Sequence, residues 1–244
     1  MPDRNDRPVV LVLGSAPGVA SCRAWPKLPD VQIVAINNAW RVRDDWDYLI
    51  SPDDFPAERM PKSVRADQRM IKSSDYVPAN NIFGGVLYAG GTMAFTAGYW
   101  ALYALKPRVL AFFGCDMIYP ASGKTHFYGK GQPDPLRDDK SLRNLEAKSA
   151  RLMIHALQKD CACVRLSAGD SRLLFPSVDY SAVTRVGAAE FELTKRKFKR
   201  AKQMEERLGY HVPSGRYWEA DGKFDVKDID RIDDAWLDAA SALL

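Results

Sequence analysis

An α/β fold with a mostly parallel sheet, helices on both faces and a helical C-terminal appendage is what three features of this 244-residue chain predict. Short apolar runs without a polar face, Val9 to Leu13 and Val109 to Phe113 above all, suit strands covered on both sides, the usual setting of parallel strands. These runs stop at Gly, Asn, Ser or Asp, which collects polar turns at one edge of the sheet. Met93 to Leu105 is apolar almost all round, with no charge before Lys106, so a helix there needs other elements to cover it.

Taken in order, Val9 to Leu13 ends at Gly14-Ser15-Ala16-Pro17-Gly18, a tight turn that can open a helix. Glycines allow close backbone approach and N–H groups at a helix start receive anions, so the turn is a phosphate-loop candidate. An ordinary strand-to-helix turn is the plain alternative, since neither a Walker pattern nor G-x-G-x-x-G is present. Val31 to Ile36 forms a second strand ending in Asn37-Asn38, two amides that can read a base edge or a ribose or simply make a turn. Asp47 to Ser51 is a third, ending in Ser51-Pro52-Asp53-Asp54. Residues 56–85 are charged and irregular; a short strand near Met70 to Lys72 fits, and a lid or substrate loop suits the remainder.

Gly90-Gly91-Thr92 opens the apolar helix, with Thr92 as its cap and Pro107 as its stop. After the strand Val109 to Phe113, Gly114 begins a polar loop with Cys115, Asp116, Tyr119, Thr125, His126, Tyr128, Lys130 and Gly131. It leaves the carboxyl end of a central strand, where open α/β sheets keep their ligands. His126 titrates near neutrality, Lys130 can neutralise phosphate charge, and Gly129 and Gly131 let the loop close. The plain alternative is that His126 and Tyr128 pin a surface loop. Pro133-Asp134-Pro135 breaks the chain, Asp138-Asp139 starts an amphipathic helix running to about Lys159 in which His155 is structural, and Ala162 to Leu166 is a further strand.

Near Val186 the texture changes, giving a core domain over residues 1–183 and an appendage over 184–244. Ala188 to Leu208 reads as a basic helix with a solvated face, and Val226 to Leu244 as an acidic amphipathic helix that docks on the core. A net charge of +4 is mild, which suits phosphate-bearing ligands without calling for nucleic acid. Cys22, Cys115, Cys161 and Cys163 lack C-x-x-C spacing and read as buried free thiols. The opening MPDRNDRP has no apolar signal core, and no stretch approaches the roughly 20 apolar residues that span a bilayer; a cytoplasmic location is expected. An oligomer is compatible with all of this.

The series Gly14-Ser15-Ala16-Pro17, Asn37-Asn38, Ser51-Pro52-Asp53, Gly90-Gly91-Thr92 and Phe113-Gly114-Cys115-Asp116 with Tyr119 resembles the bacterial sialyltransferases of family 42. It is similar also to archaeal 6-hydroxymethylpterin diphosphokinases, over roughly residues 8–178. The resemblance implies a Rossmann-like sheet that binds a nucleotide. In the sialyltransferases the turn after the first strand and an Asn after the second contact the nucleotide of a CMP-linked sugar; here these are Ser15, Ala16 and Asn37 or Asn38. Tyrosines beyond the Gly-x-Asp strand hold the phosphate, which gives Tyr119 and Tyr128 that role, and no metal is required. The family's catalytic histidine falls near Asp138, where this chain has none, so His126, with Asp116 and Tyr119, is the catalytic candidate.

The expectation is therefore a nucleotide-sugar-dependent glycosyltransferase acting on a glycan or small-molecule acceptor. Its nucleotide contacts are Gly14, Ser15, Ala16, Pro17, Asn37, Asn38, Ser51, Asp53, Gly91, Thr92, Gly114, Tyr128 and Lys130. The alternatives are a pterin diphosphokinase-like enzyme using ATP and magnesium, with Asp53, Asp54 and Asp116 as carboxylate ligands, and a nucleotide-binding protein without catalysis.

Overall fold

The computed structural model describes residues 6–119, 123–130 and 138–244; Pro120, Gly131 and the Pro133-Asp134-Pro135 break lie outside them. Six parallel strands form one sheet: β1 Val9–Leu13, β2 Val31–Ile36, β3 Tyr48–Ile50, β4 Arg69–Ile71, β5 Val109–Phe113 and β6 Ala162–Arg165, in the order β4-β3-β2-β1-β5-β6. Every residue of β1 and β5 is buried. Because successive side chains alternate between faces, Val10, Val12, Leu110 and Phe112 enter one apolar layer, and Val9, Leu11, Leu13, Val109, Ala111 and Phe113 enter the other. Two-sided burial is why these runs carry no polar residue.

The two faces are covered differently. The first packs against α-helices α1 Ser73–Ile82, α3 Met93–Ala104 and α4 Leu145–Leu157, with the short α2 Val86–Ala89 between α1 and α3. The second is covered by short 3-10 helices, Pro17–Ala24, Asn37–Arg41 and Tyr180–Arg185, so the helix expected after the β1 turn is a 3-10 segment. Thr92 caps α3, its Oγ1 accepting the Phe95 N–H at 3.2 Å, and Phe95 through Leu102 are all buried.

Helix α1 lies in the segment expected to be irregular. Pro78 and Asn80 sit inside it, both poor helix interiors, and tertiary contacts compensate: the buried Asn80 Nδ2 donates to Tyr76 O at 2.8 Å and to Thr96 O of α3 at 3.3 Å. The helix expected from Asp138 begins later. Lys140–Leu142 is a 3-10 turn, and α4 starts after Asn144, whose Oδ1 accepts the Ala147 N–H at 2.9 Å.

Beyond Tyr180–Arg185 the described chain adds helices and no strand: a 3-10 turn at Phe191–Leu193, α5 Lys195–Leu208, a 3-10 segment at Tyr217–Lys223 and α6 Val226–Ala240. Phe198 and Ala201 of α5 and Ile232, Trp236 and Ala239 of α6 belong to the same apolar layer as Val10 and Leu110. The boundary at 183/184 thus separates layers that share a core. Two buried ion pairs tie these layers together, Arg151 to Glu205 at 2.7 Å and Lys148 to Asp233 at 2.6 Å. All four cysteines are buried, and among the described residues none is in a disulfide. Among the described residues no helix is long and apolar enough to cross a membrane.

Candidate functional site

The strand order fixes where a ligand would enter. From β1 the chain builds outward through β2, β3 and β4, then returns to place β5 on the other side of β1, so the crevice beyond the carboxyl ends of β1 and β5 is the topological switch point. Its walls are the turns Gly14-Ser15-Ala16-Pro17 and Gly114-Cys115-Asp116. They are zipped past the strands, with the Gly14 N–H donating to Phe113 O at 2.8 Å and the Ala16 N–H to Gly114 O at 3.0 Å. A Cβ on Gly14 would lie 2.2 Å from Gly114 O and 2.6 Å from Cys115 Sγ. Gly14 is therefore required for backbone-on-backbone packing, and its amide is occupied. The N–H groups of Ser15 and Gly18 have no acceptor among the described residues, so they are the donors this turn offers.

The loop carrying His126 folds back over this turn. His126 N–H donates to Gly129 O at 3.0 Å, Gly129 N–H to His126 O at 3.1 Å, and Phe127 N–H to Ser15 O at 2.9 Å. The φ of Gly129 is 130°, a conformation that suits glycine. The buried His126 ring lies 4.9 Å from the Tyr128 ring at an interplanar angle of 23°, and its Nδ1 is 2.9 Å from Thr125 Oγ1. Tyr128 and Lys130 are exposed beside it. The structure thus brings together Gly14, Ser15, Ala16, Pro17, Gly114, His126 and Tyr128, although His126 lies more than a hundred positions from the turn it covers.

Asn37 and Asn38 follow β2, which is the neighbour of β1. Asn37 has φ 51°, in the left-handed region where Asn is tolerated, and starts a 3-10 helix with Asn38. Asn38 is 3% exposed, and the Oδ1 atoms of both residues are buried without a hydrogen-bond donor. Gln32, Asn80 and Asn81 also carry buried side-chain oxygens without a donor, and those of Asn37 and Asn38 are the pair that stands one strand from the switch point, at the carboxyl end of β2.

Other expected contacts are committed locally. Asp53 accepts from the Ser73 hydroxyl at 2.5 Å and the Ser73 N–H at 3.4 Å, fixing the start of α1; Ser51 is buried at the end of β3. Asp116 accepts from the Ser167 hydroxyl after β6, and its carbonyl accepts the Arg172 N–H at 2.9 Å. Burial, and then the charge of Asp116, push the Cys115 thiol up, so it stays protonated. Tyr119 packs against the helical face. Asp53 and Asp116 follow strands three places apart, about 14 Å at the usual strand spacing. No group of three His, Cys, Asp or Glu side chains converges among the described residues.

Thr92 is occupied as the α3 cap, and the Gly91 N–H donates to Ser141 Oγ at 2.9 Å. Ser141 in turn donates to Asp139 at 2.7 Å, which also accepts the Tyr217 hydroxyl at 2.6 Å. A brace from the C-terminal segment therefore reaches the start of α3. Sequence reasoning missed Ser141, Asp139 and Tyr217 because the partners are 76 and 78 positions apart and no local pattern joins them. Two clefts lie away from the crevice: one of about 570 Å³ lined by Arg23, Trp40, Arg41 and Arg65 among others, and one of about 380 Å³ at α1, α4 and α5.

Comparison of the chain with protein-family models, with curated proteins and with solved structures gives no match.

Proposed function

We propose that the chain is a nucleotide-sugar-dependent transferase that holds its nucleotide in the crevice between the ends of β1 and β5. The observation that carries this reading is the pair of buried, unpartnered Asn37 and Asn38 amide oxygens beside a switch-point turn with acceptor-free N–H groups at Ser15 and Gly18. In this reading those N–H groups take phosphate oxygens, and Asn37 and Asn38 take the base or ribose, whose N–H and O–H groups match the idle acceptors. Tyr119, Tyr128 and Lys130 meet the donor phosphate. His126 moves the acceptor proton, its ring held by Thr125 and by stacking on Tyr128, the fixed geometry that proton transfer needs. A CMP-linked donor, a glycan or small-molecule acceptor and independence from metal rest on the resemblance to the sialyltransferases. The second reading uses ATP and magnesium, with Asp53 and Asp54 after β3 and Asp116 after β5 as its carboxylates.

Thermal-shift profiles with CMP, UDP, GDP and ATP, each with and without magnesium, test the proposal. Metal-independent stabilisation by a nucleoside mono- or diphosphate, lost in Asn38→Ala, is expected. Stabilisation by ATP only with magnesium would favour the diphosphokinase-like reading, and no response to any nucleotide would overturn both. With a donor identified, His126→Ala should lower kcat by about 10²–10⁴-fold with nucleotide affinity nearly unchanged. Turnover within a few-fold of wild type would remove His126 from the chemistry.

A further inference from the structure

His155 is the third-last residue of α4, placed well toward the amino edge of the sheet and away from the crevice. It is 3% exposed, and neither ring nitrogen has a hydrogen-bond partner. Its neighbours are aromatic: Phe83 at 5.4 Å, Phe198 at 5.3 Å, Trp236 at 5.3 Å and Tyr99 at 6.0 Å between ring centroids. Contacts of this kind satisfy an N–H only weakly. Burial, and then the charges of Arg151, Lys202 and Lys159, hold the imidazole well below its ordinary range. The ring is therefore neutral, with one N–H and one lone pair both idle, where a phenylalanine would fill the same space without that cost.

The same ring lines the 380 Å³ cleft between α1, α4 and α5, a volume at the small end of ligand pockets. Ile82, Phe83 and Phe198 supply apolar wall, and Ile82 is 64% exposed. Lys199 and Lys202 stand on the lining together with a single acid, Glu206, on the same helix. Lys199 has no ion pair or hydrogen bond among the described residues, and Lys202 reaches Glu205 only at 3.6 Å, a carboxylate already held by Arg151.

We infer that this cleft binds a small organic anion, its apolar body against Ile82, Phe83 and Phe198 and its anionic group at Lys199 and Lys202, accepting the His155 N–H. The site is independent of the nucleotide crevice.

Long-range ¹H–¹⁵N spectra of the three histidine rings in the full chain test it, with His155 assigned by loss of its signals in His155→Phe. Benzoate should shift the His155 ring signals saturably at millimolar concentration or below. Neutral benzyl alcohol, and benzoate on the Lys199→Ala/Lys202→Ala double variant, should each bind about tenfold more weakly or worse, the ratio that follows from losing one modest charge interaction. His155→Phe keeps a ring in the aromatic box, so it should stay folded while losing its thermal-shift response to benzoate. No saturable shift, equal affinity for benzyl alcohol, or ring nitrogens that exchange magnetisation only with trapped water whatever the probe would each overturn the inference. Inorganic phosphate binding as tightly as benzoate would also overturn it, since the apolar wall would then contribute nothing.

Discussion

Replacing Glu205 by alanine strands a charge inside the protein. Arg151 and Glu205 have side-chain exposures of 1% and 2%, and their contact is bidentate, Nε to Oε1 at 2.7 Å and Nη2 to Oε2 at 2.9 Å. The same Oε1 accepts the Trp236 indole N–H of α6 at 2.8 Å, so one carboxylate joins α4, α5 and α6. Glu205→Ala leaves Arg151 with Tyr99 Oη at 2.7 Å and the Phe83 carbonyl as hydrogen-bond partners, and with the Tyr99 and Trp236 rings at 5.4 and 5.3 Å from its guanidinium. Breaking one side of a buried pair costs about 3–5 kcal/mol, and an unmet indole N–H about 1–3 kcal/mol. The Tyr99 and Phe83 contacts offset part of this, so about 4 kcal/mol is expected, a large share of the roughly 5–15 kcal/mol that holds a typical domain folded. With an m-value of about 3 kcal/mol/M, the urea midpoint falls by about 1.3 M, read by circular dichroism and tryptophan fluorescence together. The double variant Arg151→Met/Glu205→Leu removes both charges but leaves the Trp236 N–H, the Tyr99 hydroxyl and the Phe83 carbonyl without these partners, so it should lie between Glu205→Ala and wild type. A Glu205→Ala protein within about 1 kcal/mol of wild type would refute the reasoning, because the interior would then tolerate the lone guanidinium.

Four further outcomes are expected. Burial pushes the Glu205 carboxyl up, but Arg151, Lys202 and the Trp236 N–H together hold it below its ordinary range; its contribution is full above the unfolded value of about 4.3 and is lost as pH falls through the lower folded value. Acid titration of urea stability should show that loss in wild type and not in the double variant. Burial outweighs Lys148 at Asp233, whose Oδ2 is unpartnered, and raises that carboxyl; as pH falls through the window above its unfolded value of about 3.9, Asp233 therefore favours the folded state, and Asp233→Asn should remove this opposing slope. Gly14→Ala forces the ends of β1 and β5 apart and should cost about 1–3 kcal/mol in urea unfolding, so loss of nucleotide binding in a Gly14 variant would report the fold; an unchanged midpoint would contradict the 2.2 Å approach. Thr92→Ala removes the α3 cap and should cost about 1 kcal/mol without changing nucleotide affinity; a selective loss of affinity would return Thr92 to the binding site.

Burial on two sides leaves a mark in local sequence, and this is why β1, β2 and β5 were legible to the residue, and α3 to within one. β1 and β5 have no face that water must solvate and hold no polar residue, while β2 admits one half-buried Gln32 and α3 one buried Thr96 without losing the apolar pattern. The polar turns were legible for the complementary reason, since a chain leaving such a strand must change composition. What those turns do was decided by the tertiary structure. Gly14 reads as a phosphate-loop glycine, yet the carbonyl it must avoid belongs to Gly114, brought beside it by strand order. Thr92 was legible as a cap, but whether it also meets a ligand depends on which elements reach α3. Helix α1 escaped notice because Pro78 and Asn80 argue locally against it, and the groups that rescue it lie on another helix. The charges of α5 read as a solvated face, and most of them are, but Glu205 is buried against an arginine 54 positions away. Periodicity records which face of an element is dry, whereas the partner of a buried charge is chosen by the packing of distant elements, which no local spacing encodes.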